Sequence, residues 1–268
     1  MSVGCALGDE GLARVTLCRP EAGNAIDLAT ARGLLDAARA CAAGKARAVL
    51  LTAQGRSFCV GGDLREFSAL SGRALERHLL AVTGALHEAL RTFAAIDAPM
   101  VAAVQGPVAG AGTGLAAAAD VTLAADDASF TAAYTGIGYS PDAGVSWFLP
   151  RLIGPKRALD LLLTNRRVPA AEAERIGLVS RVVAADRLPV EAVRTAESLL
   201  RGPTAAFGAT RRLVRSGLTG ELGPHLDREA GALATAAASE EGREGVAAFL
   251  AKRAPDFTGV PLPPAPAP

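Results

Sequence analysis

Short, almost wholly apolar runs alternate along the chain with longer stretches in which apolar residues recur every three or four positions. Leu12–Cys18 (LARVTLC), Arg47–Ala53 (RAVLLTA), Met100–Val104 (MVAAV) and Asp120–Ala125 (DVTLAA) belong to the first kind and predict buried strands. Between the first two, Asp27 stands where it can cap a helix reaching about Ala43, in which Leu28, Leu34 and Leu35 recur at helical spacing. A second helix is expected from about Leu75 to Phe93, closed by the Asp97, Ala98, Pro99 breaker, and a third from Gly112 to Ala119. The unit strand, turn, helix, strand recurs, without enough letter-level similarity to define repeats. After Pro155 the pattern turns helical: Lys156–Thr164, Ala170–Ile176, Arg187–Leu200, Pro203–Arg215, Pro224–Ala238 and Glu240–Ala251, interrupted by a short strand at Leu178–Val183. Pro261–Pro268 (PLPPAPAP) reads as an extended, disordered tail.

Two of the apolar runs lead into glycine-bearing turns. Gly55–Leu64 (GRSFCVGGDL) follows the second strand, and the stretch Val104–Leu115 (VQGPVAGAGTGL) begins at the end of the third; each ends where a helix can begin. Turns with so little side-chain bulk let backbone N–H groups approach a ligand closely. Two of them converging would make an oxyanion hole, although a pair of purely structural turns would read the same way.

These segments resemble the paired signatures of the crotonase superfamily, the enoyl-CoA hydratases and isomerases. Phe58, Cys59, Val60, Gly61, Gly62, Asp63 follows the form F-x-x-G-x-D, and Gln105 to Gly112 is similar to N-G-x-x-x-G-x-G. The resemblance extends from the Asn24, Ala25, Ile26 loop to Arg243–Gly259 (REGVAAFLAKRAPDFTG), nearly the whole chain. It implies an α/β fold, a crotonase (ClpP/crotonase-like) spiral of ββα units with a C-terminal helical trimerisation region. Residues 1–200 would form the spiral core with the acyl-CoA site, 201–260 the helical region and 261–268 the tail. By the same resemblance, the N–H groups of Gly62 and Ala111 are the oxyanion donors. Ala25, Ile26, Val60, Gly61, Asp63, Leu64 and Lys252 fall at coenzyme A-binding positions, with Asp63 mainly supporting its loop and Lys252 equally readable as a solvated side chain.

Family hydratases activate water with two glutamates, and here those positions fall on Gly114 and Tyr134. Neither is a carboxylate, so concerted hydration is poorly supported. Another carboxylate stands in Gly138–Gly144 (GYSPDAG), a P-D-x-G segment that looks like that of the phenylacetate-pathway ring-epoxide isomerases and Δ3,Δ2-enoyl-CoA isomerases. The resemblance makes Asp142 the catalytic acid/base; as a plain helix N-cap it would need no chemistry. Gly114, Tyr134, Tyr139 and Trp147 would line the acyl pocket, hinting at a bulky or cyclic acyl group. Two alternatives stay open: an enoyl-CoA hydratase of atypical active site, and an acyl-CoA-binding protein without turnover.

Composition narrows the picture without redirecting it. Half of the 268 residues are hydrophobic, 21% are charged and the net charge is +1, so neither a nucleic-acid nor a membrane surface is indicated. Cys5, Cys18, Cys41 and Cys59 lack C-x-x-C spacing, which argues for free thiols in a reducing cytoplasm rather than disulfides or zinc. No metal and no cofactor is expected beyond the acyl-CoA substrate itself, and the expected partner is a second copy of the chain, as a homotrimer or dimer of trimers. The uncharged stretch Ala98–Ala119 is long enough for a membrane span, but its prolines and glycines suit a strand, turn and buried helix better. Asp120 reads as a satisfied buried acid. His78, His87 and His225 share no partner spacing and read as packing or surface residues.

Overall fold

A computed structural model describes residues 1–261. Its strands are β1 (Val3–Leu7), β2 (Leu12–Leu17), β3 (Ala48–Ala53), β4 (Met100–Val104), β5 (Pro107–Ala109), β6 (Val121–Ala125), β7 (Ser129–Thr131), β8 (Val168–Pro169) and β9 (Arg181–Val183). Its helices are α1 (Leu28–Ala43), α2 (Leu64–Ser68), α3 (Gly72–Ala95), α4 (Ala111–Ala118), α5 (Val145–Ile153), α6 (Pro155–Thr164), α7 (Ala170–Ile176), α8 (Leu188–Leu200), α9 (Thr204–Gly217), α10 (Leu222–Ala238) and α11 (Glu240–Leu250).

Six strands form one sheet in the order β1-β2-β3-β4-β6-β9, parallel from β2 onward. Every residue of β4 is buried, as are the first four of β3, in the middle of the sheet. That is why these strands read as continuous apolar runs rather than alternating ones. α8 packs on β3 and β4, while α1 lies against β1 and β2 and is backed by α3. Asp27 caps α1 by accepting the Thr30 N–H at 2.6 Å, as its position in the sequence predicts.

Two features differ from the sequence pattern. β1 pairs antiparallel with β2, Val3 opposite Leu17; most of its residues are exposed, so the run carries little apolar signal. A second, three-stranded sheet, β5-β7-β8, is built from strands too short to show a period. The uncharged 98–119 stretch forms β4, a turn, β5 and α4, and no helix among the described residues is long and apolar enough to cross a membrane. The tail expected at 261–268 lies, from Leu262 onward, outside the described residues.

Asp120 is satisfied as expected: its carboxylate accepts the Met100 N–H at 2.8 Å and pairs with Arg211 and Arg215 of α9, which ties that helix to the sheet. The buried Arg47 likewise donates to the carbonyls of Leu200, Gly202 and Phe257, fastening the segment after α11 to the start of β3. α10 buries none of its residues against the rest of the chain.

Candidate active site

The first glycine turn is braced from below. Asn24, 1% exposed, donates to the carbonyls of Gln54 and Ser57 and accepts the Arg19 N–H, each at 2.8 Å. Gly61 sits at φ +96°, where a side chain would be strained, and its carbonyl accepts the Ile26 N–H at 2.7 Å. Asp63 then starts α2 by accepting the Arg65 and Glu66 N–H groups, and Arg19 bridges it to Asp27. Burial works against its charge, yet the hydrogen bonds from Arg19 and from the helix N–H groups hold Asp63 below the usual carboxylate range. Its carboxylate is committed to structure.

The second turn is zipped onto the first. Phe58 N–H donates to Gln105 and Ala109 N–H donates to Cys59, both at 2.9 Å. A Cβ on Gly61 would lie 3.1 Å from the Ala109 carbonyl oxygen, and one on Gly112 only 2.2 Å from that of Cys59. Gly112→Ala should therefore push the two turns apart, lower thermal stability by about 1–3 kcal/mol and reduce activity. An unchanged melting temperature would show that the contact is not needed. α4 begins at Ala111, a residue earlier than the sequence pattern suggests. Among the described residues neither the Gly62 nor the Ala111 N–H has a protein acceptor, and both residues line the same cavity. The unpaired donors of the first helical turn and the positive end of α4 add to a field that favours an anion there.

That cavity measures about 640 Å³. Asp142 and Tyr134 lie in its wall, and the Tyr134 hydroxyl donates to Asp142 Oδ1 at 2.5 Å. Burial first, and then the charge of Asp142, push the Tyr134 hydroxyl well above the usual phenol range. It stays protonated and serves as a donor. The helix-cap alternative for Asp142 does not match the geometry: the N-cap of α5 is Gly144, and the Asp142 carboxylate engages Tyr134 instead. Burial also pushes the Cys59 thiol, behind the two turns, up to about 12, which removes it as a nucleophile.

Of the residues expected at the site, Gly62, Ala111, Asp142, Tyr134, Tyr139, Ile26, Val60, Gly61 and Leu64 come together around the cavity. Others stand outside it. Gly114 leaves no pocket space, since a Cβ there would lie 2.3 Å from the Ala143 carbonyl oxygen. Trp147 is on the outer face of α5, edge-on to Phe148 and under the Arg151 guanidinium. Ala25 is buried behind the turn, where its carbonyl accepts from Arg19, and Lys252 is exposed just past α11. One wall is absent from the sequence-based expectations: Leu75, Leu79, Val82 and Leu86 of α3, with Phe67 of α2. Their i, i+4, i+7, i+11 spacing was the available signal. Among the described residues no group of three or more His, Cys, Asp or Glu side chains is arranged to hold a metal ion.

Comparison with known proteins adds an independent line. The family model described as enoyl-CoA hydratase/isomerase matches residues 8–260. A Rhodobacter capsulatus protein named probable enoyl-CoA hydratase is 43% identical over 250 residues, covering 93% of this chain and 95% of its own length. The 1,2-epoxyphenylacetyl-CoA isomerase of Escherichia coli is 36% identical, with 80% and 81% covered. Among solved structures, an enoyl-CoA hydratase from Bacillus anthracis superimposes with a TM-score of 0.89 at 28% identity, covering 97% of this chain and all of its own (100%).

Proposed function

The chain belongs to the enoyl-CoA hydratase/isomerase family and has its crotonase fold, and from that premise we propose that it is an acyl-CoA isomerase with Asp142 as its proton shuttle. The observation that carries this reading is that Asp142, Gly62 and Ala111 line one cavity, with neither the Gly62 nor the Ala111 N–H taken by a protein acceptor among the described residues. With a 3-enoyl thioester, Asp142 takes the C2 proton. The electron pair moves into the carbonyl, and the enolate oxygen receives the two N–H groups, each worth about 3 kcal/mol of transition-state stabilisation. The same carboxylic acid then returns the proton at C4, leaving the double bond between C2 and C3. With a ring epoxide beside the C2 methylene, the pair left by the C2 proton would form a new C=C bond as the adjacent epoxide C–O bond breaks, and Asp142 would return the proton to the freed alkoxide. Ile26, Val60, Gly61 and Leu64 form the wall along which the coenzyme A arm would leave, and the α3 leucines face the acyl group.

A hydratase reading draws on the name of the Rhodobacter relative and on Glu76 of α3, a second carboxylate in the cavity wall. Tyr134 does not supply the missing base, because it is held protonated. A spectrophotometric screen with 3-enoyl-, 2-enoyl- and ring-epoxide-CoA thioesters separates the readings. Isomerisation of the first or third is expected, unaffected by Glu76→Gln. Hydration of the 2-enoyl thioester that depends on Glu76 would replace the isomerase reading, and binding without turnover would leave an acyl-CoA carrier.

The assembly follows from what the chain leaves uncovered. Leu218, Leu222, Leu226, Leu233, Val246, Phe249 and Leu250 of the last three helices and their connections are at least half exposed. So much apolar surface on one region calls for a partner, and we propose other copies of this chain, as a trimer or a dimer of trimers. Sedimentation should give a trimer or hexamer at micromolar concentration; a stable monomer would contradict this.

A further inference from the structure

Asp142 opens a turn whose next residue has an unusual backbone. Ala143 sits at φ +49° and Gly144 at φ +73°. Glycine adopts the left-handed region freely, but alanine does so at a cost, and such residues persist only where their surroundings hold them. Two neighbours hold Ala143. Gly114 of α4 gives it room, since any Cβ there would collide with its carbonyl and its own Cβ. His87 of α3 takes its N–H, Nε2 accepting at 3.2 Å. Ala143 is fully buried, so without His87 that N–H would be a buried orphan.

The contact also sets the state of the imidazole. To accept at Nε2 the ring must be neutral, with its proton on Nδ1. Tyr134 donates to one oxygen of the Asp142 carboxylate, and the Val145 N–H closes the turn on the Asp142 carbonyl at 2.9 Å, but neither contact ties the turn to α3. His87 acts on that backbone. It does not line the cavity, so it has no direct hold on substrate.

We infer that His87 is a positioning residue, which aims the Asp142 carboxylate at the substrate by gripping the backbone of the following residue. The inference rests on Asp142 being the acid/base of the proposed isomerase. His87→Leu removes the acceptor while keeping a good helix former in α3. Turnover of the isomerised thioester should fall about tenfold, the scale of one lost hydrogen bond, with KM unchanged. His87→Gln, whose side-chain oxygen can accept, should recover most of that loss. If the leucine variant does not fold, His87→Asn, too short to reach, carries the same comparison.

Equal turnover in the Leu or Asn variant and the parent would overturn the inference, as would a Gln variant no better than either. A rise in KM accounting for the whole loss would do the same, since it would mean a role in binding. Asp142→Asn assayed alongside keeps the two ideas apart. If it abolishes turnover while the His87 variants do nothing, the positioning role fails and the isomerase reading stands; if it turns over like the parent, Asp142 is not the acid/base and the positioning role falls with it.

Discussion

Replacing Asp142 with asparagine is expected to lower isomerase turnover by about two to four orders of magnitude, the usual worth of a positioned general acid/base, while acyl-CoA affinity stays nearly unchanged. The fold should survive, because Asp142 caps no helix and the Tyr134 hydroxyl can still donate to the amide oxygen of the asparagine. Steady-state assays paired with a binding titration of a saturated acyl-CoA test both halves. A comparable loss of affinity would place Asp142 in binding rather than in proton transfer. Gly114→Glu should not convert the protein into a hydratase: a side chain there would collide with Ala143, and the second glutamate position would still be Tyr134.

The other large effect is expected at the second glycine turn, where α4 begins. Ala111→Pro deletes one donor at the first position of α4, where proline is tolerated because that N–H has no helical partner. Turnover should drop by about two to three orders of magnitude, the cost of one oxyanion-hole donor. A melting temperature near that of the parent would show that the helix still forms. If turnover also stayed near the parent's, the enolate oxygen would have to be held elsewhere.

Much of this site is legible in the sequence, and the reasons are local. The glycine turns announce themselves because glycine is demanded by backbone contact: Gly61 against Ala109, Gly112 against Cys59. Asp142 stood out through the proline and glycine that frame it. What the sequence hid depends on contacts between distant segments. His87 and Ala143 are far apart in the chain and meet only through the packing of α3, and nothing in the helix pattern marks one imidazole as a backbone acceptor. Tyr134 was visible as an aromatic wall but not as the partner of a carboxylate, since a hydroxyl's direction follows from tertiary geometry. Trp147 misled for the opposite reason. Its size suggested a pocket wall, whereas the register of α5 turns it outward against Phe148 and Arg151.

In the proposed isomerase, Asp142 moves the C2 proton of a thioester whose enolate is held by the two turns. Exchange of that proton with deuterated solvent, followed by mass spectrometry on a saturated acyl-CoA that cannot isomerise, measures the step in isolation. Parent protein should catalyse the exchange, and Asp142→Asn should slow it by about two to four orders of magnitude. Exchange in the Asn variant as fast as in the parent would rule out Asp142 as the proton shuttle and move the acid/base role to another residue.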